Sequence, residues 1–164
     1  MEDTMTEMKQ KETGELERYL GTLYEKLTML GMKEFEIIEG NNFLSTVTVV
    51  DVEKKRYVVP LCSTMEENEA VAKVMKILRE KRGLAIITIC EVGVMLQSEN
   101  EPLSPLEDNS FEFFIAAIES MVMNKIKVWK INRDENGRTI FPLVQQLESP
   151  DFKSAFTQDY FSVS

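Results

Sequence analysis

The feature that most constrains the fold is the run "LAIITICEV", from Leu84 to Val92, which is almost entirely apolar. A continuous apolar run of strand length is typical of a strand that is covered on both of its faces. The run is too short to cross a bilayer, which takes about 18 apolar residues or more. We therefore predict that Leu84–Val92 is a central strand, that the rest of the chain packs around it, and that the protein does not enter a membrane.

Two segments have the spacing of apolar residues, in steps of three and four, that indicates an amphipathic helix. In the first segment the apolar positions run from Leu16 to Leu30, and Gly31 follows where a C-terminal cap is expected. In the second they run from Val71 to Leu78, and either Ser63 or Thr64 can cap the N-terminus. We predict two helices and leave the capping residue of the second one open.

Other segments alternate apolar and polar residues or are rich in β-branched residues, as strands are. "KEFEIIEG" predicts a short strand and a turn, whereas "VQQLESPDFKSAF" predicts a short helix. Two hairpins are predicted, the first from "FLSTVTVVDV" and "RYVVPLC" and the second from "KIKVWKI" and "TIFPL", with Asn136 and Gly137 in the tight turn of the second. Residues 110–122 fit a strand or a helix, and we favour a strand because the hairpin that follows needs a partner.

The order of these elements predicts an α+β domain with a largely antiparallel sheet of about five to seven strands and two main helices packed on one face. A chain of 164 residues suits one domain. We place that domain at residues 14–150, between a polar N-terminal tail at 1–13 and a C-terminal tail at 151–164, whose last part, "TQDYFSVS", we expect to be loose.

The residue types that are missing exclude much chemistry. The chain has no histidine, so it cannot form a Ser-His-Asp triad, a Cys-His pair or a zinc site that needs histidine. Its two cysteines, Cys62 and Cys90, both lie in apolar runs, where we expect reduced, small, buried side chains. We predict no cofactor and no metal, although carboxylates alone can bind a hard cation.

Charge is unevenly distributed along this acidic chain, whose formal net charge is −9. Between Arg82 and Lys125 there are seven acidic residues and no basic one, whereas Lys125–Arg138 carries a net charge of +3. Overall acidity argues against direct nucleic-acid binding, which depends on neutralising phosphates. The polar, acidic start of the chain does not resemble a signal peptide, so we expect a cytoplasmic location.

This charge pattern gives a candidate interaction surface, formed by an acidic loop and a basic hairpin. The alternative is that both are ordinary solvated surface. The candidate residues are Glu99, Glu101, Glu107, Asp108, Lys127, Lys130 and Arg133.

Glu91 is the candidate catalytic residue, because it is a charged side chain near the end of the predicted central strand. A carboxylate in apolar surroundings has a raised pKa and can act as an acid or a base. The alternatives are that Glu91 points outward to solvent, or that it pairs with Lys130 or Arg133.

The segment from Val58 to Leu143 resembles a family of small prokaryotic proteins that have no assigned activity. In that family a strand ends in a Ser-Glu-Ala-Trp-like motif, and a later hairpin carries Arg-Asp-x-x-Gly. The chain matches at Glu91 and at the hairpin residues of "RDENG", and departs where Cys90 and Gly93 replace the serine and the tryptophan. The resemblance implies a fold and a recurrent glutamate, not an activity.

These observations favour a non-enzymatic protein-interaction or regulatory domain, with a protein partner or self-association. The first alternative is a carboxylate-dependent enzyme or small-ligand-binding protein centred on Glu91. The second is an acidic decoy of a nucleic-acid-binding protein, which requires the seven acidic residues to lie on one face.

Overall fold

The computed structural model describes residues 2–39, 43–61, 65–95, 110–148, 154, 156–157 and 160–161. In chain order the elements are α1 (Glu2–Ile38), β1 (Ser45–Asp51), β2 (Arg56–Leu61), α2 (Glu67–Lys81), β3 (Gly83–Met95), β4 (Ser110–Ser120), β5 (Asn124–Lys130), β6 (Asn132–Arg133), β7 (Thr139–Ile140) and β8 (Leu143–Glu148). Six strands form an antiparallel sheet in the order β2-β1-β3-β4-β5-β8, and β6 pairs with β7. The predicted α+β class with a largely antiparallel sheet is confirmed.

Strand β3 lies between β1 and β4, and its residues Ala85–Ile89 are buried on both faces, as the sequence predicts. Ala85 and Ile87 pack in one apolar cluster with Leu20 of α1. Ile86 packs in a second cluster with Val74 of α2. Since successive side chains of a strand point to opposite faces, the two helices cover opposite faces of the sheet.

The prediction that both helices pack on one face is therefore wrong. A strand that is apolar at every position needs a cover on each side, and one layer of helices cannot provide both. Strand β1 shows the same division, because Val50 belongs to the α1 cluster whereas Val47 and Val49 belong to the α2 cluster. We refer to the two sides of the sheet as the α1 face and the α2 face.

Helix α1 continues past Gly31 to Ile38, so the predicted cap at Gly31 and the strand predicted for "KEFEIIEG" are wrong. Gly31 is buried where the helix approaches the sheet closely. A Cβ at this position would lie 2.9 Å from Cγ2 of Ile89 and 3.1 Å from Cζ of Phe114. One turn later Phe35 makes an edge contact with the ring of Phe114, so tertiary packing extends the helix. The helix also begins at Glu2, within the predicted N-terminal tail.

Helix α2 begins later than predicted. Its N-cap is Glu66, whose side chain makes no capping hydrogen bond, and Ser63 and Thr64 lie outside the described residues. Arg82 ends the helix in the left-handed conformation, and its N–H bonds the carbonyl of Leu78.

Residues 110–120 form strand β4, which confirms the strand reading of this segment. The first predicted hairpin is present, and the turn of the second has Gly137 at a φ of 77°. The pairing predicted for the second hairpin differs, because Thr139–Ile140 pairs with Asn132–Arg133, whereas β5 pairs with β8. The segment Val144–Glu148, predicted as part of a helix, instead belongs to strand β8, which pairs with β5. Within the described part of the chain, no helix is long and apolar enough to cross a membrane.

Candidate functional site

Glu91 lies on β3, opposite Phe114 of β4, and its N–H donates to Oγ of Ser45 at 3.2 Å. The strand continues four residues beyond it, to Met95, so Glu91 is not at the strand end. The alternation of side chains places Glu91 on the α1 face, together with Glu112 of β4. Partial burial raises the pKa of Glu91, and the negative charge of Glu112 raises it further.

The basic hairpin does not provide a partner for this carboxylate. Lys130 pairs in register with Phe113, which places it on the α2 face, away from Glu91. Arg133 lies on β6, where its guanidinium donates to the carbonyl of Gly137 at 3.3 Å. No basic side chain among the described residues forms an ion pair with Glu91.

The structure also separates the basic residues of the predicted interaction surface. Lys127 pairs with Ala116 and therefore lies on the α1 face, opposite to Lys130. The acidic members, Glu99, Glu101, Glu107 and Asp108, lie outside the described residues. The acidic part of that surface thus stays a prediction.

Cys90 lies on β3 next to Glu91, with its side chain on the α2 face. Burial raises the pKa of its thiol to about 11, so the thiol is protonated at neutral pH and is a weak nucleophile. Cys62 lies outside the described residues. Within the described ranges, no group of three or more acidic or cysteine side chains is arranged to hold a metal ion.

The two edges of the sheet differ. Edge strand β2 contains Pro60, which has no N–H, and the charged Arg56. Edge strand β8 contains neither proline nor a basic residue, and all six of its residues are exposed. Three of them are apolar: Leu143, Val144 and Leu147 are 53%, 56% and 43% exposed.

Strand β8 is held by its backbone pairing to β5 and by an ion pair of 2.9 Å between Lys125 and Glu148. A register shift between Val128 and Trp129 of β5 places an irregularity at the start of β8. From Gln145 to Glu148 the pairing is regular. Among the described residues no strand pairs with the outer side of β8, which we call the open edge, so further strand pairing can occur there.

A second site, which sequence reasoning missed, surrounds Glu119 on the α2 face of β4. Its side chain is buried, with 2% exposure. The N–H and the Oγ–H of Ser154 donate to its two carboxylate oxygens, at 2.5 Å and 2.6 Å. The hydroxyl of Thr157 donates to Oε1 at 2.9 Å.

The residues that bind Glu119 belong to the C-terminal segment, 154–161, of which the structure describes 154, 156–157 and 160–161. Phe156, Tyr160 and Phe161 pack against the α2 cluster. The hydroxyl of Tyr160 lies 2.9 Å from the carbonyl oxygen of Leu78 and 3.0 Å from that of Gly83. The prediction of a loose tail is therefore wrong for Thr157, Tyr160 and Phe161.

Comparisons with protein-family models, with curated proteins and with solved structures find no significant match to this chain. The resemblance noted from the sequence accordingly stays a prediction.

Proposed function

We propose that the protein is a non-enzymatic interaction domain that associates with a second copy of itself through the open edge of β8. The observation that carries the proposal is that all six residues of this strand are exposed, including the apolar Leu143, Val144 and Leu147. An edge strand presents unpaired N–H and C=O groups, which are a template for pairing with another strand.

The difference between the edges supports this assignment. Native proteins protect sheet edges with proline and with charged residues, lysine above all. Pro60 and Arg56 do so on β2, whereas β8 has neither proline nor lysine, and its one charged residue, Glu148, lies at its end in an ion pair with Lys125. The irregularity at the start of β8 gives partial protection, but it leaves Gln145–Glu148 in regular pairing.

The sequence of β8 is complementary to itself when two copies run antiparallel. Facing residues of a two-fold antiparallel pair lie on the same face of the sheet, so a residue can face its own counterpart. If Leu147 of one copy faces Leu147 of the other, Gln146 faces Glu148 twice, and no like charges are directly opposite. Cross-strand pairs of apolar residues stabilise a sheet, whereas like charges in that position destabilise it. A two-fold arrangement of this kind is closed, as in most homodimers.

Charge predicts how this association depends on salt. Each chain carries a net charge of −9, so two copies repel one another at low ionic strength. Salt screens that repulsion. We therefore expect the dimer to form more readily as salt is added, in contrast to an interface held by ion pairs.

Sedimentation velocity over a wide range of protein concentration tests the proposal. We expect a dimer that grows with concentration for the wild type, and a monomer for Leu147→Lys, which places a charge on the open edge. The matched control is Val58→Lys on the other edge strand, where the valine is 60% exposed. A wild-type protein that stays monomeric up to near-millimolar concentration would contradict the proposal.

The carboxylate-centred alternative is supported by one observation, the raised pKa of Glu91 beside Glu112. It predicts that a small molecule will raise the melting temperature of the wild type but not of Glu91→Gln. The decoy alternative is weakened, since Glu119 is buried on the face opposite to Glu91 and Glu112.

A further inference from the structure

The C-terminal segment contacts the rest of the protein through side chains spaced three residues apart. Ser154 and Thr157 donate to Glu119, and the hydroxyl of Tyr160 reaches the carbonyl groups where α2 meets β3. Phe156 and Phe161 add apolar contacts on the same face. The segment is therefore recognised through a pattern of hydroxyl and aromatic groups.

The backbone hydrogen bonds described within this segment are local. The N–H of Thr157 bonds the carbonyl of Ser154 at 3.4 Å, and the N–H of Tyr160 bonds that of Thr157 at 2.7 Å. Apart from the Ser154 N–H, the described bonds to the rest of the protein come from side-chain hydroxyls. The segment thus resembles a folded peptide in a groove more than a further strand of the sheet.

Glu119 needs these donors. A buried carboxylate is costly unless it is hydrogen-bonded or paired. Among the described residues its hydrogen bonds come from Ser154 and Thr157, and no lysine or arginine there forms an ion pair with it. When the segment leaves, Glu119 becomes an unpaired acceptor that another hydroxyl-bearing peptide can satisfy.

We propose that the surface around Glu119 is a peptide-binding site. Its ligand is a segment that carries two hydroxyl side chains and a tyrosine at spacings of three, flanked by phenylalanine. In this structure the site is occupied by the described residues of the chain's own C-terminal segment, and that occupant exchanges with the same peptide supplied in trans. The proposal does not depend on the open edge of β8.

The test uses the full chain and a fluorescein-labelled peptide with the sequence of residues 152–164. In the wild type the internal segment competes with the labelled peptide. The double substitution Ser154→Ala/Thr157→Val in the full chain weakens the internal competitor, because it removes both hydroxyls that bind Glu119. We expect this variant to bind the peptide at least about tenfold more tightly than the wild type, since each bond to a charged group is worth more than a neutral one.

Glu119→Gln, made in the background of that double variant, should abolish its gain in peptide affinity. The glutamine amide keeps only one acceptor oxygen, and its NH2 group replaces the second oxygen with a donor. Glu112→Gln is the matched control, since it changes an exposed glutamate of the same strand on the other face. Equal peptide affinity for wild type and double variant, or a gain that survives Glu119→Gln, would overturn the proposal.

Hydrogen exchange on the unmodified full chain gives a second readout that does not require a variant to fold. If the segment detaches by itself, the amides of Thr157 and Tyr160 exchange at least about tenfold faster than those of β3 and β4. Exchange at the same rate as the central strands would show that the segment opens only with the whole fold, and would also overturn the proposal.

Discussion

Two glycines of helix α1 should respond in opposite ways to the same substitution. Replacing glycine by alanine inside a helix is favourable by about 0.8–1.0 kcal/mol, from propensity alone. At Gly21 a Cβ would meet nothing within 4 Å, so Gly21→Ala should gain close to that amount. At Gly31 the same Cβ would lie 2.9 Å from Cγ2 of Ile89 and 3.1 Å from Cζ of Phe114. Both neighbours are buried and stiff, and such overpacking costs about 1–3 kcal/mol.

Gly31→Ala should therefore be less stable than Gly21→Ala by about 1–3 kcal/mol, because the propensity gain is common to both variants. Urea unfolding, followed by circular dichroism at 222 nm, measures the free energy of unfolding of both variants when helix and sheet unfold in one transition. The reasoning would be refuted if Gly31→Ala were as stable as Gly21→Ala. That result would mean that α1 does not approach β3 and β4 as closely as the structure shows.

Three further predictions concern single side chains of β3. The raised pKa of Glu91 means that folding favours its protonated form. The contribution of Glu91 to the free energy of unfolding is therefore fully present below pH 4.5, the ordinary pKa of a glutamate, and is lost as pH rises through the pKa of the folded state. Glu91→Gln should therefore unfold at higher urea concentration than the wild type at neutral pH, and the two should converge in acid; a less stable variant at neutral pH would contradict this. Cys90, with a pKa of about 11, should react with iodoacetamide at pH 8 far more slowly in the folded than in the unfolded protein, measured by mass spectrometry in a Cys62→Ser background. Thr88 has a buried hydroxyl without a hydrogen-bond partner among the described residues, so Thr88→Val should stabilise the protein by about 1 kcal/mol. A lower melting temperature for Thr88→Val than for the wild type would contradict this, because it would mean that the hydroxyl has a partner.

The elements that the sequence predicts well are those whose signal is local. The apolar run Leu84–Val92 requires a central strand, and Asn136–Gly137 is sufficient to predict the turn of the second hairpin, although not which residues pair around it. The second helix was predicted from its apolar stripe, although its N-cap was not, since Glu66 caps without a side-chain bond.

The errors share a different cause, which is tertiary packing. Gly31 has the sequence signature of a helix cap, but its lack of a side chain serves the close approach to Ile89. Strand β8 has two glutamines and little alternation, so its pairing with β5 cannot be read from its own residues.

The candidate sites show the same limit. Glu91 and Glu119 give the same signal, a single acid in an apolar run, but the sequence distinguished only the first as a candidate. The partners of Glu119 are 35 and 38 residues further along the chain, so no local pattern connects them. Likewise, Lys127 and Lys130 are close in sequence but lie on opposite faces of β5.

The most direct test of association through the open edge is a charge-exchange experiment on β8. In the antiparallel register Leu147 of one copy faces Leu147 of the other. Leu147→Lys and Leu147→Glu should each be monomeric alone in sedimentation velocity, because like charges then face one another. An equimolar mixture should form a heterodimer, because opposite charges then face one another. A mixture that stays monomeric, while the wild type dimerises, would contradict the proposed register, and a wild type that never dimerises would contradict the proposed function.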